Sequence, residues 1–256
     1  MANAYVFPGG KVDATDSDPS LWKQTRGMTP DQAATALGDV PPEVATGYYV
    51  AAIRETFEEA GVLLAAYRDS SQESPLSETT VQSLERHRLR LLEGNTDLLT
   101  VLQESNLVLT PDSLIYWDHW ITPEVEERRY NARFFLAEIP AHFTAGHDSL
   151  ETTDSGWFTP TAILERYRSD RLTLAPPTLR TLVELQELGS YEAVKRAARE
   201  RVIDQPILPV AQKEESRFVL LLPGDKNYPG SNTQTLHRAE MIQGRWRLVR
   251  AEEDRL

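Results

Sequence analysis

The chain has 256 residues, a formal net charge of −12 and no cysteine. That length can bury a large core, while the lack of thiols excludes disulfides, thiolate zinc sites and cysteine nucleophiles and fits a reducing compartment. The acidic balance argues against general nucleic-acid binding, which needs a basic footprint, and no apolar run reaches membrane-span length.

Residues 5–12 predict a short strand running into Gly9-Gly10. Residues 13–45, rich in aspartate and proline, read as a loop holding a short helix around 30–37. Asp16-x-Asp18 lacks the downstream glycine and glutamate of a calcium loop. Residues 42–60 predict a long helix that Gly61 closes. A polar loop over 66–75 is expected next, then helices over 77–93 and 97–105 around Gly94-Asn95. Aromatic and branched residues predict antiparallel strands over 115–121 and 130–139. A loop over 140–154, a strand over 156–159 and a helix over 160–167 follow. Pro176-Pro177 opens a helical pair to about residue 200. Strands are expected over 207–210, 218–222, 233–241 and 245–250, either joining the main sheet or forming a small β appendage. Leu222-Pro223-Gly224-Asp225 between them reads as a turn.

The long helix carries the most informative pattern. With Glu55 set at 0° and 100° per residue, Glu58 falls at about 300° and Glu59 at about 40°, whereas Val50, Ile53, Phe57 and Ala60 fall between about 140° and about 220°. An apolar stripe therefore faces one way and three carboxylates the other. Glu55 and Glu59 are like charges four apart, a few tenths of a kcal/mol unfavourable in an isolated helix. Oxygen-only clusters of this kind suit Mg²⁺ or Mn²⁺, which keep positions for water and phosphate. A solvated acidic face is the competing reading, and the pattern alone leaves the two open.

Gly10, Asp16 and Arg54-Glu55-Thr56-Phe57-Glu58-Glu59-Ala60-Gly61-Val62 resemble the Nudix box, G-x5-E-x7-R-E-U-x-E-E-x-G-U with U aliphatic. Asp16 stands where the pattern has glutamate, Thr56 stands at an aliphatic position, and an insertion of 30 residues separates Asp16 from Arg54. Further stretches resemble the long-insert branch of the Nudix hydrolases, which contains the peroxisomal coenzyme A diphosphatase and its bacterial relatives. They are Tyr5-Val6-Phe7-Pro8-Gly9-Gly10, Trp120-Ile121-Thr122-Pro123, Arg128-Arg129-Tyr130 with Phe134-Phe135, and Leu221-Leu222-Pro223-Gly224-Asp225.

The resemblance implies an α/β fold over residues 1–256, read as one domain. The expected architecture is a Nudix α/β/α sandwich with a mixed β-sheet, the insertion at about 17–45, and helical and β additions over about 177–256. It implies divalent-metal-dependent hydrolysis of a pyrophosphate bond in CoA or acyl-CoA, giving 3′,5′-ADP and (acyl-)phosphopantetheine. Other nucleotide substrates such as ADP-ribose or NADH are the alternative within the enzyme class. A non-catalytic nucleotide- or CoA-binding module is the alternative outside it.

In this reading Glu55, Glu58 and Glu59, with a backbone carbonyl of Gly9 or Gly10, hold Mg²⁺ or Mn²⁺, and Arg54 orients a box glutamate. Glu55 is the first choice for the general base. Glu151, six residues before Trp157, is the second. Arg128, Arg129 and Arg133 are the arginines available to a 3′-phosphate. Trp117, Trp120 and Tyr130 either stack adenine or belong to the core. The five histidines show no zinc spacing. The family's strand before Phe7-Pro8 has no counterpart upstream, so an exposed sheet edge is expected. The partner is a small nucleotide-type molecule, with no nucleic acid and no membrane, and a homodimer is left open. Met1 begins no signal peptide and Leu256 ends no peroxisomal address, so a cytoplasmic location is expected.

Overall fold

A computed structural model describes residues 4–38, 40–69, 75–139, 156–214, 217–231 and 237–250. The chain opens with strand β1 (Ala4–Tyr5), followed by a 3-10 turn at Ala14–Ser17 and helices α1 (Pro19–Trp22), α2 (Pro30–Ala36) and α3 (Pro42–Ala60). Next come β2 (Ala65–Tyr67), α4 (Glu78–Leu92), α5 (Leu98–Glu104), β3 (Leu107–Leu109), β4 (Leu114–Ile121) and β5 (Asn131–Ala137). After them lie α6 (Pro160–Arg168), β6 (Thr173–Leu174), α7 (Pro176–Leu188), α8 (Tyr191–Glu200), and β7 (Val210–Glu214), β8 (Arg217–Leu221), β9 (His237–Ile242) and β10 (Arg245–Arg250). The fold is mixed α/β. Its strands form one parallel pair, β1 with β6, the antiparallel pair β2–β3, the pair β4–β5, and a four-stranded antiparallel sheet in the order β10-β9-β8-β7.

The residues group into two compact units. One holds residues 8–116 and 135–157, the other residues 1–7, 117–134 and 158–256. In the first, α3 buries Tyr49, Val50, Ile53 and Phe57 to 1% exposure or less, and each such side chain contributes roughly 1.5–3 kcal/mol. Val62, Leu63 and Leu64 continue that core, and β3 adds Leu107 and Leu109. The insertion is part of the same packing. The short helix expected around 30–37 is α2, and Leu21, Ala33, Ala34 and Leu37 are buried in this core. Helix α2 is capped at both ends of its first turn, Thr29 Oγ1 accepting from Gln32 N–H and Gln32 Oε1 accepting from Thr29 N–H.

In the second unit, the antiparallel sheet places Leu220, Ala239 and Trp246 against Ile163, Leu164, Leu179 and Leu182 of α6 and α7. Of the two alternatives the sequence left for these strands, the structure has the second, a sheet of their own backed by helices. The Tyr167 hydroxyl fixes α6 to this sheet by donating to the Trp246 carbonyl at 2.5 Å. A buried ion pair locks the link from β8 to β9. Arg238 donates to both oxygens of Asp225 at 2.8 and 2.9 Å and to Glu214 at 3.0 Å. Burial alone would raise the Asp225 pKa; hydrogen bonds from Arg238 and from the Asn227 and His237 amides outweigh it and lower it. The predicted turn is present, with Asp225 N–H donating to Leu222 O at 2.9 Å.

Two expected strands change. Residues 156–159 form no strand, because Thr159 caps α6, its hydroxyl accepting from Ala162 N–H at 3.2 Å. The strand expected over 5–12 stops at Tyr5, since Pro8 has no N–H to give a ladder and two glycines follow. Within the loop expected over 66–75, β2 covers its start, pairing with β3.

Candidate active site

Pro42 at the first helical position and Gly61 in the left-handed conformation, at φ 71°, set the ends of α3. Between them the three glutamates lie on the face away from the core, Glu55 and Glu58 half-buried and Glu59 exposed. Arg54, only 8% exposed, is the hub. Its Nε and Nη2 donate to the two oxygens of Asp16 at 2.8 and 3.0 Å. Its Nη1 reaches Glu55 at 2.8 Å and Glu58 at 3.3 Å, and Nη2 also donates to the Lys11 carbonyl at 2.9 Å.

Asp16 is 1% exposed and also accepts from the Asp13 amide at 2.8 Å. The aspartate in place of glutamate therefore still reaches Arg54 with both oxygens, because the 3-10 turn at Ala14–Ser17 packs directly on α3. The long insertion leaves the two parts of the box in contact. Hydrogen bonds from Asp16, with its charge and those of Glu55 and Glu58, raise the Arg54 pKa against the opposing effect of burial.

The Gly9-Gly10 turn lies over the carboxylates. Gly9 N–H donates to Glu59 Oε2 at 2.9 Å. A β-carbon on Gly10 would stand 2.4 Å from Glu55 Oε1, so only glycine allows this approach. Gly10→Ala is expected to displace the Glu55 carboxylate and lower kcat about tenfold to a hundredfold. Because only the end of a flexible side chain must move, the melting temperature should stay close to that of the parent. Steady-state kinetics beside a thermal melt checks both, and an unchanged kcat would separate Glu55 from the chemistry.

The Glu55 pKa is raised, first by burial and then by the charges of Glu58 and Glu59, with Arg54 opposing. The donor set suits a hard divalent cation: oxygen ligands only, three carboxylates, and glycine backbone beside them. Among the described residues no three carboxylate or imidazole groups are already converged on one point. Glu55 and Glu58 are instead held by Arg54, and Glu59 by Gly9.

Glu151, Arg128, Arg129 and Arg133 complete the predicted set. Glu151 falls outside the described residues. Arg128, Arg129 and Arg133 belong to the second unit, where Arg129 Nε donates to the Thr122 carbonyl at 3.1 Å and Arg133 lies on β5. Trp117 and Trp120 are core, at 1% and 4% exposure, while Tyr130 is exposed. Guanidinium groups cover both indoles, Arg201 at 4.2 Å and Arg180 at 5.8 Å from the ring centroids.

Sequence reading passed over Asp118, between these two tryptophans. It is 4% exposed and accepts from Trp120 Nε1 at 2.8 Å and the His119 amide at 3.0 Å. Burial raises its pKa, and Arg180, the Trp120 indole and Arg201 offset only part of that. A raised carboxylate pKa favours the fold below the unfolded value and loses that contribution as pH rises through the folded value. The stability of Asp118→Asn relative to the parent should accordingly increase from about pH 4 upwards, as denaturant titrations at several pH values would measure. A flat difference would contradict it. A cavity of about 310 Å³ in this unit is lined by Arg180, Arg238, Arg250 and His237. Each of its guanidiniums already faces a carboxylate, namely Glu184, Asp225 or Glu187, so it is electrostatically balanced.

A family model described as the NUDT19 Nudix domain matches residues 1–185. The acyl-coenzyme A diphosphatase NUDT19 of Xenopus laevis is 29% identical, over 90% of this chain and 68% of that protein. The Gallus gallus protein of the same name is 30% identical over 90% and 69%, and the Homo sapiens one 27% over 89% and 68%. A crystal structure of a Nudix hydrolase from Alicyclobacillus acidocaldarius superposes with a TM-score of 0.50, covering 80% of this chain and 83% of that one at 22% identity. That likeness concerns the fold.

Proposed function

Because this chain belongs to the NUDT19 Nudix domain family, a family of hydrolases, we propose that it cleaves the diphosphate of CoA or acyl-CoA, adding water across the P–O–P bridge to release 3′,5′-ADP and (acyl-)phosphopantetheine. The observation that carries the reading is that Arg54 holds Glu55 and Glu58 on the helix face where the Gly9-Gly10 turn meets Glu55 and Glu59. The relatives named acyl-coenzyme A diphosphatase support the substrate class.

In this proposal Glu55, Glu58 and Glu59, with a carbonyl of Gly9 or Gly10, hold Mg²⁺ or Mn²⁺. When bound, such a cation offsets diphosphate charge and makes a water more nucleophilic. Arg54 keeps Glu55 and Glu58 oriented, and its ion pair with Asp16 fixes the guanidinium itself. Glu55 accepts the proton of the attacking water, with Glu151 the other carboxylate for that task. Arg128, Arg129 and Arg133 are the groups for the 3′-phosphate, through bidentate hydrogen bonds. No helix among the described residues is long and apolar enough to cross a membrane, and a cytoplasmic, small-molecule setting belongs to the proposal.

The test is incubation with CoA, an acyl-CoA, ADP-ribose and NADH, each with Mg²⁺ or Mn²⁺, and chromatography of the products. Fastest release of 3′,5′-ADP from CoA or acyl-CoA is the expected result. Cleavage of ADP-ribose or NADH with CoA left intact would move the assignment to another nucleotide. Binding without turnover of any of the four would replace the enzyme by a binding module.

A further inference from the structure

The end of α3 has an electrostatic problem that its own Arg54, bonded to the Glu58 side chain, relieves only in part. The last carbonyls of a helix lack partners within it and carry partial negative charge. Glu58 and Glu59 add two carboxylates there, and the last turn holds no basic residue. The backbone relieves part of this, as Gly61 N–H donates to the Phe57 carbonyl at 3.0 Å and Val62 N–H to that of Thr56 at 3.4 Å. The Glu58 carbonyl takes its donor from another helix. Arg88 of α4 reaches across and donates Nη1 to Glu58 O at 2.9 Å.

Arg88 is itself held in place. Glu85, one turn earlier, accepts from its Nε at 2.8 Å and Nη2 at 2.6 Å, a fork that leaves Nη1 aimed at α3. The pair lies over the cap: a β-carbon on Gly61 would be 3.7 Å from Glu85 Oε2 and 3.8 Å from Arg88 Nε. Leu84, 1% exposed in the same core as Phe57, anchors α4 beside it. The arrangement supplies a cation where the helix dipole needs one, and ties down the carbonyl of a residue whose own side chain is a candidate ligand.

We infer that Arg88, oriented by Glu85, is a positioning residue for the cation site: it fixes the last turn of α3 so that the Glu58 and Glu59 carboxylates share one ion with Glu55. This rests on the reading of those glutamates as cation ligands. Arg88 touches neither the ion nor the substrate, so its effect is on the geometry of the ligands, of the size seen when supporting contacts around a metal are removed.

Titration with Mn²⁺ alone, read by electron paramagnetic resonance of the free ion, tests this without turnover. Arg88→Ala should weaken Mn²⁺ binding about tenfold while the melting temperature without metal falls by only a few degrees, and Arg88→Lys, which keeps a cation able to reach the carbonyl, should recover most of the affinity. A parent protein that binds Mn²⁺ and an Arg88→Ala variant that binds it equally well would overturn the role of Arg88 and leave the site standing. A parent that binds no Mn²⁺ would overturn the site and this inference with it. Should Arg88→Ala fail to fold, Glu85→Ala carries the test, since it frees the guanidinium without touching α3. Weaker binding there by several-fold supports the positioning role, and unchanged binding refutes it.

Discussion

Arg54→Leu is expected to destabilise the protein by about 3–5 kcal/mol, the range for removing one partner of a buried ion pair. Asp16 is 1% exposed and would keep a single donor, the Asp13 amide, once the guanidinium is gone. The Lys11 carbonyl loses its donor as well, and Glu55 and Glu58 lose the charge that separates them. The raised Arg54 pKa has the same cause, since Asp16 holds that cation by hydrogen bond and charge. Urea unfolding should therefore show a large fall in midpoint with little change in slope. Arg54→Lys should recover only part, because an ammonium cannot bridge both Asp16 oxygens and reach Glu55 as a planar fork does. Arg54→Leu with Asp16→Asn should be less unstable than Arg54→Leu alone, since no buried charge is then left unpaired. An unchanged midpoint in the single variant would show that the pair is solvated in solution and not a hub.

The carboxylate face beside this hub was legible because it is written in local periodicity, while its reading as a site came from the family resemblance. Proline at the start of α3, glycine at its end and a 3.6-residue apolar repeat define the helix, and the helix then dictates which glutamates share a face. Asp16 was singled out only by the resemblance to the Nudix box, and its pairing with Arg54 was not read from the sequence, because the turn that brings it there is a matter of packing. Where spacing in the chain carries no periodic signal, the reading failed. Leu107–Leu109 is too short to show alternation, so β3 went unnoticed between a helix and Pro111. In the insertion the short helix around 30–37 was read, but not that Leu21, Ala33, Ala34 and Leu37 are buried in the core. Small alanines give weak hydrophobic signal and still fill a helix–helix contact. Arg238 and Asp225 lie 13 residues apart across a strand connection, and nothing local links the two. Arg88 was invisible for the same reason: on α4 it pairs with Glu85 like any surface helix residue, and only the tertiary fold shows its third donor turned to α3. The division into two units was equally unreadable, since Trp117 follows Tyr116 within the single continuous strand β4.

Neutralising one carboxylate separates what the cluster does for the fold from what it does for the reaction. Glu59→Gln is expected to lower kcat at least about 100-fold, because a ligand that offsets diphosphate charge supplies several kcal/mol in the transition state. The same change should leave the fold intact. Glu59 is exposed, and glutamine keeps an acceptor for the Gly9 amide now bonded at 2.9 Å. Removing a like charge four residues from Glu55 should also stabilise the helix by a few tenths of a kcal/mol, so the metal-free melting temperature should hold or rise slightly. Glu55→Gln should behave similarly and more strongly, since burial and its two neighbours already disfavour its charged form. A purely structural cluster demands the opposite, with stability and activity falling together. Retained turnover in Glu59→Gln would remove that side chain from the cation site, and a large loss of stability would show that the three glutamates are held together for the fold and not for a diphosphate.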